Sequence, residues 1–322
     1  MIQPSFLRKE ATDRLRQAAY DPKRLVLLHT AIALGCSLLT TLISYLLSLQ
    51  IAETGGLSGM TLRSVLTTAQ SVLELAVAIG FPFWNIGLLF AVLRWTTGQT
   101  AGPADLLQGF RRFFSVFGLL FLRALLFLML AIGITNITST IYMMTSFATP
   151  LVNLLTPLMQ QGSSAESLMT DAFSSALLKE VTPLIIVSAV LFLLLAIPLF
   201  YRLRFANFAV MDGLSAGKAL LKSFSITSKK FWQLLKLDLS FWWFYLLLIL
   251  SVAICYGDSI LPALGISLPV SPTVAAFGFY IIGSVCQGIL LWQFEAGRLT
   301  VYGLAYRRLD GTIDTDDTDA LA

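Results

Sequence analysis

Long apolar runs, almost free of charge, constrain this chain more than any other feature. Six stand out: Leu25 to Leu47, Thr68 to Leu93, Val116 to Thr138, Val181 to Phe200, Leu237 to Tyr256 and Val274 to Phe294. Each has about the length a helix needs to cross a ~30 Å hydrocarbon layer, which takes ~20 residues. Backbone groups there have no water to bond, so only helices and closed barrels survive. The runs are continuous rather than alternating, which excludes a barrel. Charged residues make up 12% of the 322 residues and hydrophobic ones 57%. A soluble chain of this size needs a far more polar surface. The expected fold is an all-α, polytopic membrane helical bundle with six transmembrane helices.

The basic residues orient the bundle. Lys and Arg between the runs number 6, 1, 3, 1, 7, 0 and 3 in order along the chain. The rich segments are Arg8 to Arg24, Arg94 to Arg112, Arg202 to Lys230, and Arg298 to Arg308. Cytoplasmic loops carry the excess of Lys and Arg, so both termini are expected in the cytoplasm. The segment from Ile141 to Leu178 is placed outside. Its apolar stretch from Ile141 to Met159, interrupted by Pro150, Asn153 and Pro157, reads as an extension or re-entrant cap. The first 24 residues are polar and basic, and no cleaved signal peptide is expected. Residues 1–309 read as one transmembrane domain and 310–322 as an acidic disordered tail carrying Asp310, Asp314, Asp316, Asp317 and Asp319.

Three basic segments share a plan: an amphipathic interfacial helix on the cytoplasmic side, then a span out and a span back. Leu7, Ala11, Leu15 and Ala18 share one face in the first. Asp105 is placed to cap the second, with Leu106, Phe110, Phe113 and Phe114 on one side. Ser215 is placed to cap the third, with Leu220, Leu221 and Phe224 together. The i, i+3, i+4 spacing is that of a helix face. Such helices lie apolar side down among headgroups. Arg111, Arg112, Lys218, Lys222, Lys229 and Lys230 then face the inner leaflet, where anionic lipids attract each cation by about 1 kcal/mol. Two readings stand: membrane anchoring, or a lipid-headgroup site.

Charges within spans are costly and mark candidate sites. Arg123 is near the middle of the third run. Glu74 lies in the second, ~9 Å outward of its middle at ~1.5 Å per residue. The two are a buried structural pair (or Arg123 snorkels to water), or they form a site for a solute, proton or lipid phosphate. Asn85 belongs to "GFPFWNIG", Gly80 to Gly87, where Pro82 invites either a broken-helix binding segment or an ordinary kink with small-residue packing. Asp238 reads as a helix-start residue pairing with Arg202 or Arg204. Trp242, Trp243 and Tyr245 read as interfacial anchors. The single histidine, His29, and the scattered Cys36, Cys255 and Cys286 suggest neither a metal site nor disulfides. No catalytic set or nucleotide loop is present, so neither an enzyme, a cofactor nor a nucleic-acid partner is expected.

One segment carries a family likeness. "RFANFAVMDGLSAGKALLKSFSITSKKFWQLLKLDLSFWWFYLL" resembles the bacterial membrane-protein family known as domain of unknown function 975. The resemblance lies in the Met211-Asp212-Gly213 turn, the helix with Ser215, Ala216 and Ala219, and Leu239-Ser240-Phe241 followed by Trp242 and Trp243. "RWTTGQTAGPADLLQGFRRFF" is similar to the loop before that family's third span. Ile197-Pro198 matches an Ile-Pro-Gly except that Leu199 replaces the glycine. The resemblance implies a bacterial, Gram-positive plasma membrane and no particular activity. The functional expectation is therefore broad: handling of a lipid or small solute by a non-enzymatic protein, or an accessory or scaffold subunit with a protein partner.

Overall fold

A computed structural model describes the backbone of residues 3–18, 20–53, 57–145, 149–150, 152–153, 156, 171–266 and 269–311. Within these, side chains are described except at 47–53, 57–63, 66 and 171–177. The described regular elements are all helical. Part of the proposed re-entrant cap, and the tail from 312, fall outside the described residues.

The helices are α1 (Pro4–Gln17), α2 (Pro22–Glu53), α3 (Leu57–Thr96), a 3-10 turn (Pro103–Leu107), α4 (Gln108–Arg111), α5 (Phe113–Met143), α6 (Asp171–Leu203), α7 (Ala206–Met211), α8 (Ala216–Ile226), α9 (Phe231–Leu239), α10 (Trp242–Cys255), α11 (Gly257–Ala263) and α12 (Pro272–Leu309). Five of the expected spans are present as helices long and apolar enough to cross a membrane. They cover Pro22–Leu46, Thr67–Thr96, Phe113–Met143, Leu178–Met211 and Pro272–Leu309.

The fifth expected span, Leu237 to Tyr256, is not one continuous rod. α9 and α10 meet at a 63° bend, and the pair counts as one span only if taken together. At ~1.5 Å per residue, the 14 residues of α10 reach too short a distance to cross alone. The break falls in Ser240-Phe241. The side chain of Arg8 in α1 donates to the Ser240 carbonyl and lies over the Phe241 ring at 4.7 Å. A side-chain donor thus meets a carbonyl at the break, where the regular helix pattern is interrupted.

The chain forms two compact units, residues 1–119 with 205–322, and residues 120–204. The second is an antiparallel helical hairpin of α5 and α6. Thr138 and Ser188 share a hydrogen bond of 2.7 Å, and Tyr142 donates to the Glu180 carbonyl at 3.0 Å. Arg123 lies over Phe200 at 5.9 Å. These contacts progress in opposite directions along the two helices, as an antiparallel pair requires.

In the first unit the core is concentrated at the end that carries the basic segments. Its largest fully buried side chains include Trp95, Tyr306, Phe205, Leu7, Leu25, Leu106 and Met211. α12 explains the arrangement. Its 38 residues extend ~57 Å, well beyond a hydrocarbon layer, and the run Thr300 to Tyr306 is buried within protein. α3 ends beside it at Thr96, and Gly98 just beyond has a φ of +71° that suits a glycine after a helix.

Four features of the interfacial helices differ from the sequence reading. α1 does not offer its apolar stripe to headgroups, because Leu7 and Ala11 are buried against α12 and α3. Glu10 and Arg308 pair across that contact at 2.8 Å. In α8 the stripe facing protein is Ala219, Ser223 and Thr227, while Leu221 is 69% exposed. Ser215 occupies the N-cap position without a side-chain hydrogen bond. Asp105 acts from within its turn instead of preceding a helix. It accepts from the Gly102 amide at 2.8 Å and from Arg94 at 2.9 and 3.0 Å.

Candidate functional site

In the first unit a cleft opens among α2, α3 and α12. It has two adjoining lobes that share Thr30, Ala33, Phe81, Gln287 and Leu291. The lobe nearer the basic end holds about 340 Å³ and is lined by His29, Asn85, Asn207, Gln287 and Glu295 among apolar neighbours. The other holds about 470 Å³ and adds Ser37, Tyr280, Ser284 and Tyr256 to Leu34, Val252 and other apolar groups. Both volumes are in the range of small-molecule sites, roughly 300–1,000 Å³.

Polar side chains in spans lower their cost by facing an interior or a cavity, and these do. His29 stacks on Trp84 with ring centroids 5.6 Å apart and planes 7° from parallel. Trp84 donates its indole N–H to the His29 carbonyl at 3.2 Å. Asn85, the next residue, stands beside the imidazole. The His29 Nε2 and the Asn207 Oδ1 are buried with no hydrogen-bond partner among the described residues. Each such group carries a desolvation cost of about 1–3 kcal/mol unless a partner arrives.

Glu295 is the one formally charged side chain lining the lobes, and it is neutralised. Arg298, one turn on in α12, holds it in a two-pronged pair at 2.6 and 2.8 Å. Arg298 also lies over Phe244, Tyr245 and Tyr302 at 5.3, 5.9 and 5.5 Å. Its Nη1 reaches the Tyr245 hydroxyl at 3.4 Å. The Tyr245 and Tyr302 hydroxyls are 3.1 Å apart, and Tyr302 donates to Asp238. A polar chain thus leads from the cleft to the bend between α9 and α10.

Of the intramembrane candidates, Asn85 lines the cleft, whereas Glu74 and Arg123 line neither lobe. Glu74 is exposed and accepts from Gln70 at 2.7 Å, and Gln70 also reaches Ser44 at 2.6 Å. Arg123 belongs to the second unit, against Phe200. "GFPFWNIG" is not a broken helix: α3 runs through Pro82 without interruption. Asp238 sits in the last turn of α9 and serves the two tyrosines. Of the six cations assigned to lipid, two are engaged by the fold. Arg112 donates to the Val210 carbonyl at 2.7 Å, and Lys222 pairs with Asp310 at 2.8 Å. Asp310 thereby belongs to the folded body and not to a free tail. Arg111, Lys218 and Lys229 are exposed and Lys230 is half-buried.

The sequence reading passed over Gln287, Glu295 and Asn207 and assigned His29 no site role. Signals were present. His29 is the only histidine and lies within an apolar run, and Glu295 and Arg298 are spaced to pair on one helix face. No family model, no curated protein and no solved structure matches the chain.

Proposed function

We propose that this multi-pass membrane protein is a non-enzymatic binder of an amphiphile or small polar solute, held in the cleft bounded by His29, Asn85, Gln287 and Glu295. The observation that carries the reading is a pair of unpartnered buried polar atoms, on His29 and Asn207, beside a ligand-sized cavity flanked by apolar helices. A ligand that bonds either atom offsets a cost the empty fold bears. The setting is a bacterial plasma membrane, with both termini in the cytoplasm, as the Lys and Arg distribution favours. Membership of the domain of unknown function 975 family is part of the same proposal, on the strength of the Met211-Asp212-Gly213 and Leu239-Ser240-Phe241 segments. Arg111, Lys218, Lys229 and Lys230 then rest against anionic inner-leaflet lipids.

Native mass spectrometry of protein extracted gently from its own membrane tests the reading. The expected result is a stoichiometric small-molecule adduct that disappears in Gln287→Leu. An accessory role for the chain has its own support in the exposed Phe114 (87%), Trp232 (70%) and Leu221 (69%). A stoichiometric second polypeptide with no adduct would favour that role and overturn the binding one. Orientation has a separate test: a cysteine at Lys229 is expected to react with an impermeant maleimide only in inside-out vesicles.

A further inference from the structure

We infer that the cleft selects an amphiphile with an uncharged, hydroxyl-bearing head, of the monoacylglycerol kind, over one with an anionic head. This inference rests on the cleft being a binding site, as proposed above.

Two features of the lining carry it. The first is charge. A phosphate or carboxylate head calls for unpaired cations or a nest of backbone donors. The lobe near the basic end has no Lys or Arg in its wall. Its one formal charge is the Glu295 carboxylate, and the guanidinium beside it is committed to that carboxylate by two hydrogen bonds. An anion entering here meets a neutral pair with the carboxylate nearer the cavity.

The second is hydrogen-bond type. Asn85, Asn207 and Gln287 are amides, each able to donate and accept, and His29 is an imidazole. A hydroxyl also does both, so adjacent hydroxyls on a glycerol or sugar can satisfy such a set, including the His29 Nε2 in either tautomer and the Asn207 Oδ1. Both belong to the eight buried side-chain atoms without a hydrogen-bond partner among the described residues, and both are on residues that line this lobe. The second lobe supplies the rest of the amphiphile's needs. Leu34, Phe81, Val252 and Leu291 offer apolar surface for an acyl chain. Thr30, Ala33 and Gln287 border both lobes, so the head and chain of one molecule would occupy adjoining spaces. The Ser37 and Tyr280 hydroxyls in that lobe bond each other and make no competing demand.

The test uses the full-length chain in phosphatidylcholine nanodiscs. Trp84, stacked on His29, provides a fluorescence reporter, with Trp84→Phe as the blank. 1-Monooleoylglycerol and lysophosphatidylglycerol, matched in chain, are titrated separately. The expected result is a saturable Trp84 change with monooleoylglycerol at least tenfold tighter than with the lysophospholipid. Asn85→Leu and Gln287→Leu should each weaken it about tenfold, the scale of one lost buried hydrogen bond. If either variant fails to run as a monodisperse peak, Leu291→Trp, which fills the shared wall from the apolar side, replaces it with the same expectation. Tighter binding of the lysophospholipid at the same site would overturn the head-group inference and leave the binding role standing. A Trp84 signal that saturates with neither amphiphile, together with no adduct in the native spectrum, would overturn both.

Discussion

Replacing Gly87 by alanine is expected to separate α3 from the 3-10 turn, and the cost can be worked from the geometry. A Cβ built on Gly87 lies 2.6 Å from the Leu106 carbonyl carbon and closer still to its oxygen. Gly109 faces the same seam from the other side, where a Cβ meets the Phe83 carbonyl carbon at 2.9 Å. The obstacles are backbone atoms, so no rotamer change relieves them, and the two segments must part by on the order of 1 Å to reach ordinary carbon contact. Overpacking of this kind costs about 1–3 kcal/mol, and a rigid obstacle places Gly87→Ala at the upper end. With roughly 2 °C of Tm per kcal/mol in a chain of this size, a loss of about 6 °C is expected in detergent by scanning fluorimetry. Gly80→Ala is the control. It lies on the same helix with nothing within 4 Å of its Cβ, and alanine's better helix propensity is worth up to ~1 kcal/mol. Gly80→Ala should therefore be neutral or stabilising. Gly109→Ala should resemble Gly87→Ala, and the double variant should lose less than both together, since one widened seam accommodates both methyls. Equal Tm values for Gly80→Ala and Gly87→Ala would refute the close approach.

Asp105→Asn should cost about 2–3 kcal/mol, because it strands Arg94 beside a buried acceptor site; chemical denaturation in mixed micelles reads this, and no change would mean the pair is dispensable. Glu10→Arg and Arg308→Glu should each loosen α1, read as faster proteolysis near residue 18. The double swap should restore protection, with a coupling of about 1 kcal/mol. Glu74→Gln should move Tm by no more than about 0.5 kcal/mol equivalent, as an exposed side chain held by one amide, and ligand retention by native mass spectrometry should be unchanged if the cleft is the site.

Hydropathy made the five long spans legible because the membrane imposes one length and one composition on whatever crosses it. The same simplicity hid the fifth. "LDLSFWWFYLL" is as apolar as its neighbours, and the residue that meets its break, Arg8, is more than two hundred residues away in sequence. The amphipathic face of α1 was also legible, but not what covers it. Leu7 and Ala11 look the same whether lipid or α12 lies against them, since both are apolar. At the site, Asn85 was legible as a polar residue among small and bent ones. Glu74 and Arg123 drew attention as charges in spans, yet neither lines the cleft. The charge that does, Glu295, sits at the end of a run and reads as a flanking residue. Its position becomes visible only when α12 is seen to continue as one helix to Leu309.

That continuity also fixes where a cavity is tolerable. In hydrocarbon, helices gain nothing from burying apolar surface against each other, so contact depends on close approach. Gly283 packs so near α10 that an added Cβ would meet the Cys255 amide nitrogen and the Ser251 carbonyl oxygen at 2.7 Å. Beyond the hydrocarbon the ordinary hydrophobic drive returns. There α12 is enclosed, with Tyr306 buried, its ring 5.7 Å from Phe208 and its hydroxyl donating to Asp212 at 3.1 Å. The lobe holding His29 sits between these regimes, with the tight glycine contact at Gly283 on one side and the enclosed stretch that begins at Thr300 on the other, while the second lobe reaches past Gly283 to Tyr280. Packing on either side holds α12 at two levels, so the face carrying Gln287, Leu291 and Glu295 can border the cleft while Gly288 lies against Leu34 and Thr30 of α2. Gln287 and Glu295 are therefore carried by a helix braced on both sides of that lobe, which fixes their position in its wall.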